Sequence, residues 1–84
     1  MTKDDIASQV RAFIAAEFLQ GESPDSISPD TRLISDGILD SLASLKLVSW
    51  LEERYAVRIA AHEVDVDRLD TVGLIADLVL SKRG

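Results

Sequence analysis

Ser41 is the residue whose type and position offer chemistry most directly. It lies between Asp40 and Leu42, where a segment of turn-forming residues gives way to a helical pattern. A serine at the start of a helix can cap that helix, act as a nucleophile or carry an attached group. A cap is the default interpretation, because Asp and Ser are favoured at helix ends in all proteins.

The sequence around Ser41 does not contain the residues that a serine hydrolase needs to activate its nucleophile. The segment does not contain the Gly-x-Ser-x-Gly pattern, and the only histidine, His62, lies in a different part of the chain. A catalytic base would have to be assembled within a very small protein. We therefore predict that the chain is not an enzyme and that His62 is a helix-start or surface residue.

Four acidic residues suggest a calcium site. Their spacing lacks the loop glycine and the terminal bidentate glutamate of an EF-hand. We predict a solvated acidic face around a short helix and no metal site, formed by Glu63, Asp65, Asp67 and Asp70. The chain has no cysteine, so any thiol chemistry would need an added group.

Helical periodicity predicts three substantial helices and one brief helix. The first spans roughly 3–19, with Thr2 and Asp5 as a capping box and Gly21 as its stop. The second begins at Ser41, the third covers His62 to Val66, and Asp70 or Thr71 caps the last. The second helix is predicted to face the core through Leu45, Val48, Leu51 and Tyr55, with Leu42, Leu47 and Trp50 partly off that stripe.

The segment between the first two helices, residues 21–40, is predicted to be a long loop. It contains both prolines, Pro24 and Pro29, among many Ser, Asp and Gly residues. A loop this long in a small domain is usually functional or packed on itself. Its predicted anchors to the helices are Ile27, Leu33, Ile34, Ile38 and Leu39. The expected fold is an all-α, small four-helix bundle with a long first loop.

Composition limits the possible functions. The 84 residues fit one domain, 1–84, and 46% are hydrophobic. A net charge of −6 disfavours nucleic acid and favours basic protein surfaces. No run approaches the roughly 20 apolar residues that cross a membrane, and the amino terminus is acidic where a secretory signal is basic. We expect a cytoplasmic monomer with no membrane or nucleic-acid partner.

The run from Asp36 to Leu42, with the helical stretch that continues to Tyr55, resembles the modification site of the acyl carrier protein family. The resemblance implies a 4′-phosphopantetheine arm from coenzyme A, joined to Ser41 by a phosphodiester and bearing acyl or aminoacyl thioesters. It implies that Asp40 helps position magnesium-bound coenzyme A and that Gly37 leaves room for the transferase. Leu42 would contact the arm or a partner.

The resemblance also implies partner enzymes: a phosphopantetheinyl transferase, a loading ligase or synthetase, and downstream acyl-processing enzymes. The candidate partner-binding residues are Leu42, Leu45, Lys46, Ser49, Trp50, Glu52 and Glu53. Fatty-acid carriers usually have acidic residues early in the second helix, but here Ala43, Ser44 and Lys46 stand there. We therefore expect a specialised carrier with a short acyl or aminoacyl cargo.

Two alternatives stay open. A peptidyl carrier domain is the nearest relative, although the chain length and the Leu-Asp-Ser-Leu sequence favour a free-standing protein. The other is an unmodified acidic helical adaptor that binds a protein through Leu42, Leu47 and Trp50.

Overall fold

The computed structural model describes residues 2–19 and 23–83. Four α-helices follow in chain order: α1 (Lys3–Phe18), α2 (Ser41–Tyr55), α3 (Val66–Leu69) and α4 (Val72–Arg83). Single 3₁₀ turns occupy Pro24–Ser26 and Ala61–Glu63. The predicted all-α bundle of three main helices and one short helix is confirmed. Gly21, the predicted stop of the first helix, lies outside the described residues.

The start of α1 is held by the predicted capping box. The Asp5 amide donates to the Thr2 hydroxyl at 3.2 Å, and the Thr2 amide donates to the Asp5 carboxylate at 3.1 Å. These bonds satisfy two of the N–H groups that every helix start leaves without an intrahelical partner. The hydrogen bond from the Thr2 amide is the main reason that the pKa of Asp5 lies below its usual value.

The core lies between α1 and α4, with α2 and the long loop closing its sides. Ile6, Val10 and Ile14 form the buried stripe of α1, one residue per helical turn. The loop contributes Ile27, Leu33 and Leu39, each at most 2% exposed. Ile34 and Ile38 pack partly buried against the same cluster, which confirms the five predicted loop anchors.

The buried face of α2 differs from the predicted stripe. Leu45 is 56% exposed, whereas Leu47 is fully buried. The side chains of α2 that are buried are Ser44, Leu47, Val48, Leu51 and Tyr55. Helical spacing fits either stripe, and the packing of α2 into the core of the bundle decides between them. The expectation that Leu45 faces the core was therefore wrong.

An aromatic cluster between α1 and α2 fixes the rotation of α2. Trp50 stacks on Phe13 with ring centroids 4.4 Å apart, and Tyr55 meets Trp50 edge-to-face at 5.8 Å. Phe18 meets Phe13 edge-to-face at 5.9 Å, so all four aromatic residues of the chain lie in one cluster. Such pairs contribute about 0.5–1.5 kcal/mol each beyond area burial.

The short helix begins later in the chain than predicted. Residues 61–63 form a 3₁₀ turn, and α3 begins only at Val66. The cause is Asp65, which is the N-cap of α3. Its backbone is extended, and its carboxylate accepts a hydrogen bond from the Arg68 amide at 3.0 Å. Thr71 caps α4 by accepting from the Leu74 amide at 3.1 Å, leaving Asp70 for another contact.

The end of α2 contains a strained residue. Ala56 has φ 54° and ψ 48°, the left-handed conformation that a helix C-cap favours but an L side chain resists. The cost for a non-glycine residue is roughly 1–2 kcal/mol.

We predict that Ala56→Gly raises the free energy of unfolding by about 0.5–1 kcal/mol, since glycine removes the strain but gains entropy in the unfolded chain. Urea denaturation measures it. Ala16→Gly, at an exposed position inside α1, is the matched control and should lower stability by about 1 kcal/mol. A loss of stability in both variants would contradict the strain at Ala56.

Candidate functional site

The chain reaches Ser41 through a closed turn. The Leu39 amide donates to the Leu33 carbonyl at 2.8 Å, and the Gly37 amide donates to the Ile34 carbonyl at 3.0 Å. Gly37 has φ 82°, and a Cβ built there meets nothing within 4 Å. Glycine is therefore needed for the backbone conformation rather than for space.

Asp40, rather than Ser41, caps α2. The Asp40 carboxylate accepts a hydrogen bond from the Ala43 amide at 2.8 Å, and the Asp40 backbone is extended. Ser41 is the first helical residue and is exposed. The cap is thus complete without the serine hydroxyl, and Ser41 itself is exposed at the helix start.

The start of α2 offers backbone donors beside that hydroxyl. A helix leaves the amides of its N-cap and first three residues without intrahelical partners. The Asp40 side chain uses the amide of Ala43. The amides of Ser41 and Leu42 are the next two at this end, and they lie at the positive end of the helix dipole. An anion esterified to Ser41 would be favoured there.

A groove opens beside Ser41, with a volume of about 610 Å³. One wall belongs to the loop, one to the first turns of α2, and one to the segment leading into α3. The groove is mainly apolar, and Leu45 and Val66, both exposed apolar residues, contribute to it. The lining residues are Ile34, Leu39, Asp40, Ser41, Ser44, Leu45, Ala61, Val64, Asp65 and Val66.

Asp70 ties the loop to the junction between α3 and α4. Its carboxylate accepts hydrogen bonds from the amides of Ile34 at 3.0 Å and Ser35 at 2.9 Å, and from the Ser35 hydroxyl at 2.8 Å. The Leu33 amide also donates to the Asp70 carbonyl. Asp70 is only 8% exposed, so its predicted place on a solvated acidic face was wrong.

The hydrogen bonds also set the titration of Asp70. The bond from the Ser35 amide is the largest cause that lowers the pKa of Asp70, and burial opposes it. The Ser35 hydroxyl, the Ile34 amide and the charge of Arg32 lower the pKa further. The ionised carboxylate is therefore the form that holds the loop.

The other members of the acidic group have separate structural roles. Glu63 pairs with Lys82, and the hydrogen bond from Lys82 is the main cause that lowers the pKa of Glu63. Asp65 pairs with Arg68 at 2.8 Å. Asp67 is exposed. Within residues 2–19 and 23–83, no three His, Asp or Glu side chains gather in a metal-binding group. His62 is exposed in the 3₁₀ turn, as expected for a surface residue.

The outer face of α2 is largely apolar near Ser41. Leu42 is 76% exposed and Leu45 is 56% exposed. Lys46 is exposed and pairs with Glu17 of α1 at 2.9 Å, and Ser49 is exposed on the following turn. These four candidate partner-binding residues share one accessible surface of the bundle.

The remaining partner-binding candidates differ in accessibility. Glu53 is exposed, whereas the half-buried Glu52 accepts a hydrogen bond from the Ile59 amide at 3.0 Å. Trp50 is half-buried in the aromatic cluster. Leu47, the middle residue of the alternative adaptor surface, is fully buried and cannot contact a partner.

Comparison with known proteins decides the family. The sequence profile described as "Phosphopantetheine attachment site" matches residues 9–79, most of the chain. The chain belongs to the acyl carrier protein family. An acyl carrier protein of Borreliella burgdorferi is 31% identical over 84 residues and covers 100% of both chains. One from Streptomyces coelicolor is 34% identical over 71 residues, 84% of this chain and 74% of the relative.

Solved structures show the same fold. The structure described as "Structure of KstB-PCP(apo)" matches with a TM-score of 0.72 at 25% identity, covering 95% of this chain and 88% of that chain. A chain described as "Crystal structure of FAD-dependent dehydrogenase" matches with a TM-score of 0.74 at 31% identity, covering 83% of this chain and 97% of that chain.

Family membership establishes a general role for the chain. It is a carrier that interacts with partner enzymes and is not itself an enzyme, and phosphopantetheine is its prosthetic group. The absence of cysteine fits this role, because the arm supplies a thiol that the chain lacks. Among the helices of the described residues, none is long and apolar enough to cross a membrane.

The separate tasks of Asp40 and Ser41 can be tested by stability. We predict that Asp40→Ala lowers the free energy of unfolding by about 1 kcal/mol, because the Ala43 amide loses its acceptor. Asp40→Asn keeps an acceptor and should lose only a few tenths of a kcal/mol. Ser41→Ala should change stability by less than about 0.5 kcal/mol. An equal loss for Ser41→Ala and Asp40→Ala in urea denaturation would contradict the cap assignment.

The Asp70 tie predicts a pH dependence. A carboxyl group whose pKa is lower in the folded state stabilises the fold above its unfolded value, about 3.9 for Asp, and loses that contribution as pH falls through the folded pKa. Wild type should therefore exceed Asp70→Asn in stability at pH 7, and the difference should shrink below about pH 4.

Urea denaturation at pH 7 and pH 3 measures this effect, with the exposed Asp30→Asn as the control variant. Asp5 and Glu63, whose pKa values are also lowered by hydrogen bonds, are present in all three proteins, so their contribution cancels when the proteins are compared. A difference between wild type and Asp70→Asn that is equal at both pH values would contradict the role of the ionised carboxylate.

Proposed function

We propose that Ser41 is the residue that carries the 4′-phosphopantetheine arm. The arm would hold acyl or aminoacyl groups as thioesters and present them to partner enzymes. The supporting observation is that Asp40 alone caps α2, which leaves an exposed serine hydroxyl at the helix start with no part in the cap.

The surroundings fit the arm chemically. A phosphodiester on Ser41 would lie near the amides of Ser41 and Leu42, at the positive end of α2. The apolar groove beside it offers a surface for the arm or a short cargo. Asp40 would serve twice, as the helix cap and as the acidic residue that helps a transferase orient magnesium-bound coenzyme A. Gly37 would leave that approach open, because no side chain projects there.

The charge pattern favours a specialised carrier. The first turns of α2 present Leu42 and Leu45 to solvent and no acidic residue. Of the acidic pair farther along the helix, Glu52 is occupied by the Ile59 amide, so Glu53 is the exposed member. Steering by a basic partner would therefore be weak along α2, and apolar contacts would contribute more to docking.

The proposed partners follow from this surface. They are a phosphopantetheinyl transferase, a dedicated ligase or synthetase that loads a short acyl or aminoacyl group, and downstream acyl-processing enzymes. They would contact Leu42, Leu45, Lys46, Ser49 and Glu53. Trp50, which is half-buried on the same helix, would pack beneath this surface. Location in the cytoplasm and a role for the chain on its own remain predictions.

The adaptor alternative has lost its main support. It required Leu42, Leu47 and Trp50 on one exposed surface, but Leu47 is fully buried and Trp50 stacks on Phe13. An aminoacyl cargo of the peptidyl-carrier type is compatible with the proposal, because a peptidyl carrier structure is among those that the chain resembles.

Attachment of the arm is tested by intact mass. The purified protein is incubated with coenzyme A, Mg²⁺ and a broad-specificity phosphopantetheinyl transferase. We predict that wild type gains the mass of one phosphopantetheinyl group and that Ser41→Ala gains none while keeping its helical circular dichroism.

Ser8→Ala, which removes another exposed helical serine, is the matched control and should gain one group. Modification of Ser41→Ala would show that the site is wrong. No modification of wild type, under conditions that load a known acyl carrier protein, would contradict the carrier role of this serine.

A further inference from the structure

The loop that ends at Ser41 depends on one side chain far along the sequence. The backbone amides of three successive residues donate hydrogen bonds to Asp70. The Leu33 amide donates to the Asp70 carbonyl, and the amides of Ile34 and Ser35 donate to the Asp70 carboxylate. The Ser35 hydroxyl adds a fourth bond at 2.8 Å. We call residues 33–40 the presenting loop.

Hydrogen bonds connect Leu33, at the end of the presenting loop that Asp70 holds, to the residues just before Ser41. The Leu33 carbonyl accepts from the Leu39 amide at 2.8 Å, and both leucines are at most 2% exposed. The next residue, Asp40, is fixed by its bond to the Ala43 amide. Both ends of the presenting loop are therefore held, one by Asp70 and the other by α2.

The same tie links two chain segments that line the groove beside Ser41. Ile34 belongs to the loop wall, and Val64 and Val66 belong to the wall formed by the segment leading into α3. Val66 begins α3, which ends at Leu69, immediately before Asp70. The bonds that the amides of Ile34 and Ser35 donate to Asp70 therefore join these two segments.

We propose that Asp70 is a positioning residue that keeps the presenting loop, and with it Ser41, in the conformation that the transferase binds. This inference rests on the proposed function of Ser41. Asp70 is not among the residues that line the groove, so it acts through the loop rather than on the arm. Releasing the tie would lower the fraction of molecules in the competent conformation, and apparent affinity falls by that same fraction.

The kinetic test measures arm transfer against carrier concentration at a temperature where every variant is folded. We expect Asp70→Ala to raise KM for the carrier by roughly three- to tenfold while kcat stays within about twofold of wild type. Asp70→Asn keeps an acceptor for the two amides and should give a smaller rise. Ser35→Ala removes only the hydroxyl bond and should lie closest to wild type.

A control separates positioning from stability. Val10→Ala removes a fully buried side chain of α1, which does not line the groove, and should destabilise the fold without changing KM. Equal KM values for wild type and both Asp70 variants would overturn the proposal. A rise in KM for Val10→Ala as large as that for Asp70→Ala would also overturn it, because general destabilisation would then explain the effect.

Amide hydrogen exchange gives an independent readout that needs no transferase. In Asp70→Ala we expect faster exchange at Ile34, Ser35 and Leu39, whereas the amides in the middle of α1 stay protected. Unchanged protection of Leu39 would overturn the proposal, because the tie would then not reach Ser41. If wild type never accepts the arm, the proposed attachment site fails, and the exchange result alone decides whether Asp70 holds the loop.

Discussion

The hydrogen bond between the Asp40 carboxylate and the Ala43 amide is the interaction on which the site depends. It ends the long loop and begins α2, so that Ser41 is the first residue of the helix. Because Asp40 meets the need of the helix for a cap, the hydroxyl of Ser41 has no structural task. Attachment of the proposed arm to Ser41 would therefore leave the cap of α2 intact.

The rest of the bundle supports this arrangement from two sides. The aromatic cluster with Phe13 sets the rotation of α2 and turns Leu42 and Leu45 outward. Asp70 holds the loop that precedes Ser41 against the α3–α4 junction. The result is a serine at the edge of an apolar groove, with partner-accessible apolar side chains on the same helix. This suits a carrier that partner enzymes must reach.

Sequence patterns predicted the features that depend on neighbours three or four residues apart. The capping box of Thr2 and Asp5 and the start of α2 at Ser41 follow from local spacing, and the buried loop leucines follow from their apolar side chains in a polar segment. Features that depend on distant contacts were missed. The bond between Asp70 and the Ser35 amide joins residues 35 positions apart, and an aspartate before a helix looks like a cap in sequence. Leu47 rather than Leu45 lies in the core for the same reason, since the packing of α2 into the bundle chooses between two stripes of equal periodicity.

The central claim is that Ser41 is the attachment residue, and peptide mapping of the loaded protein tests it most directly. After arm transfer and proteolysis, tandem mass spectrometry identifies the modified side chain. We predict that phosphopantetheine is found on Ser41 alone. Phosphopantetheine found on another residue, such as Ser35, Ser44 or Ser49, would contradict the claim, even if the intact protein had gained the mass of one arm.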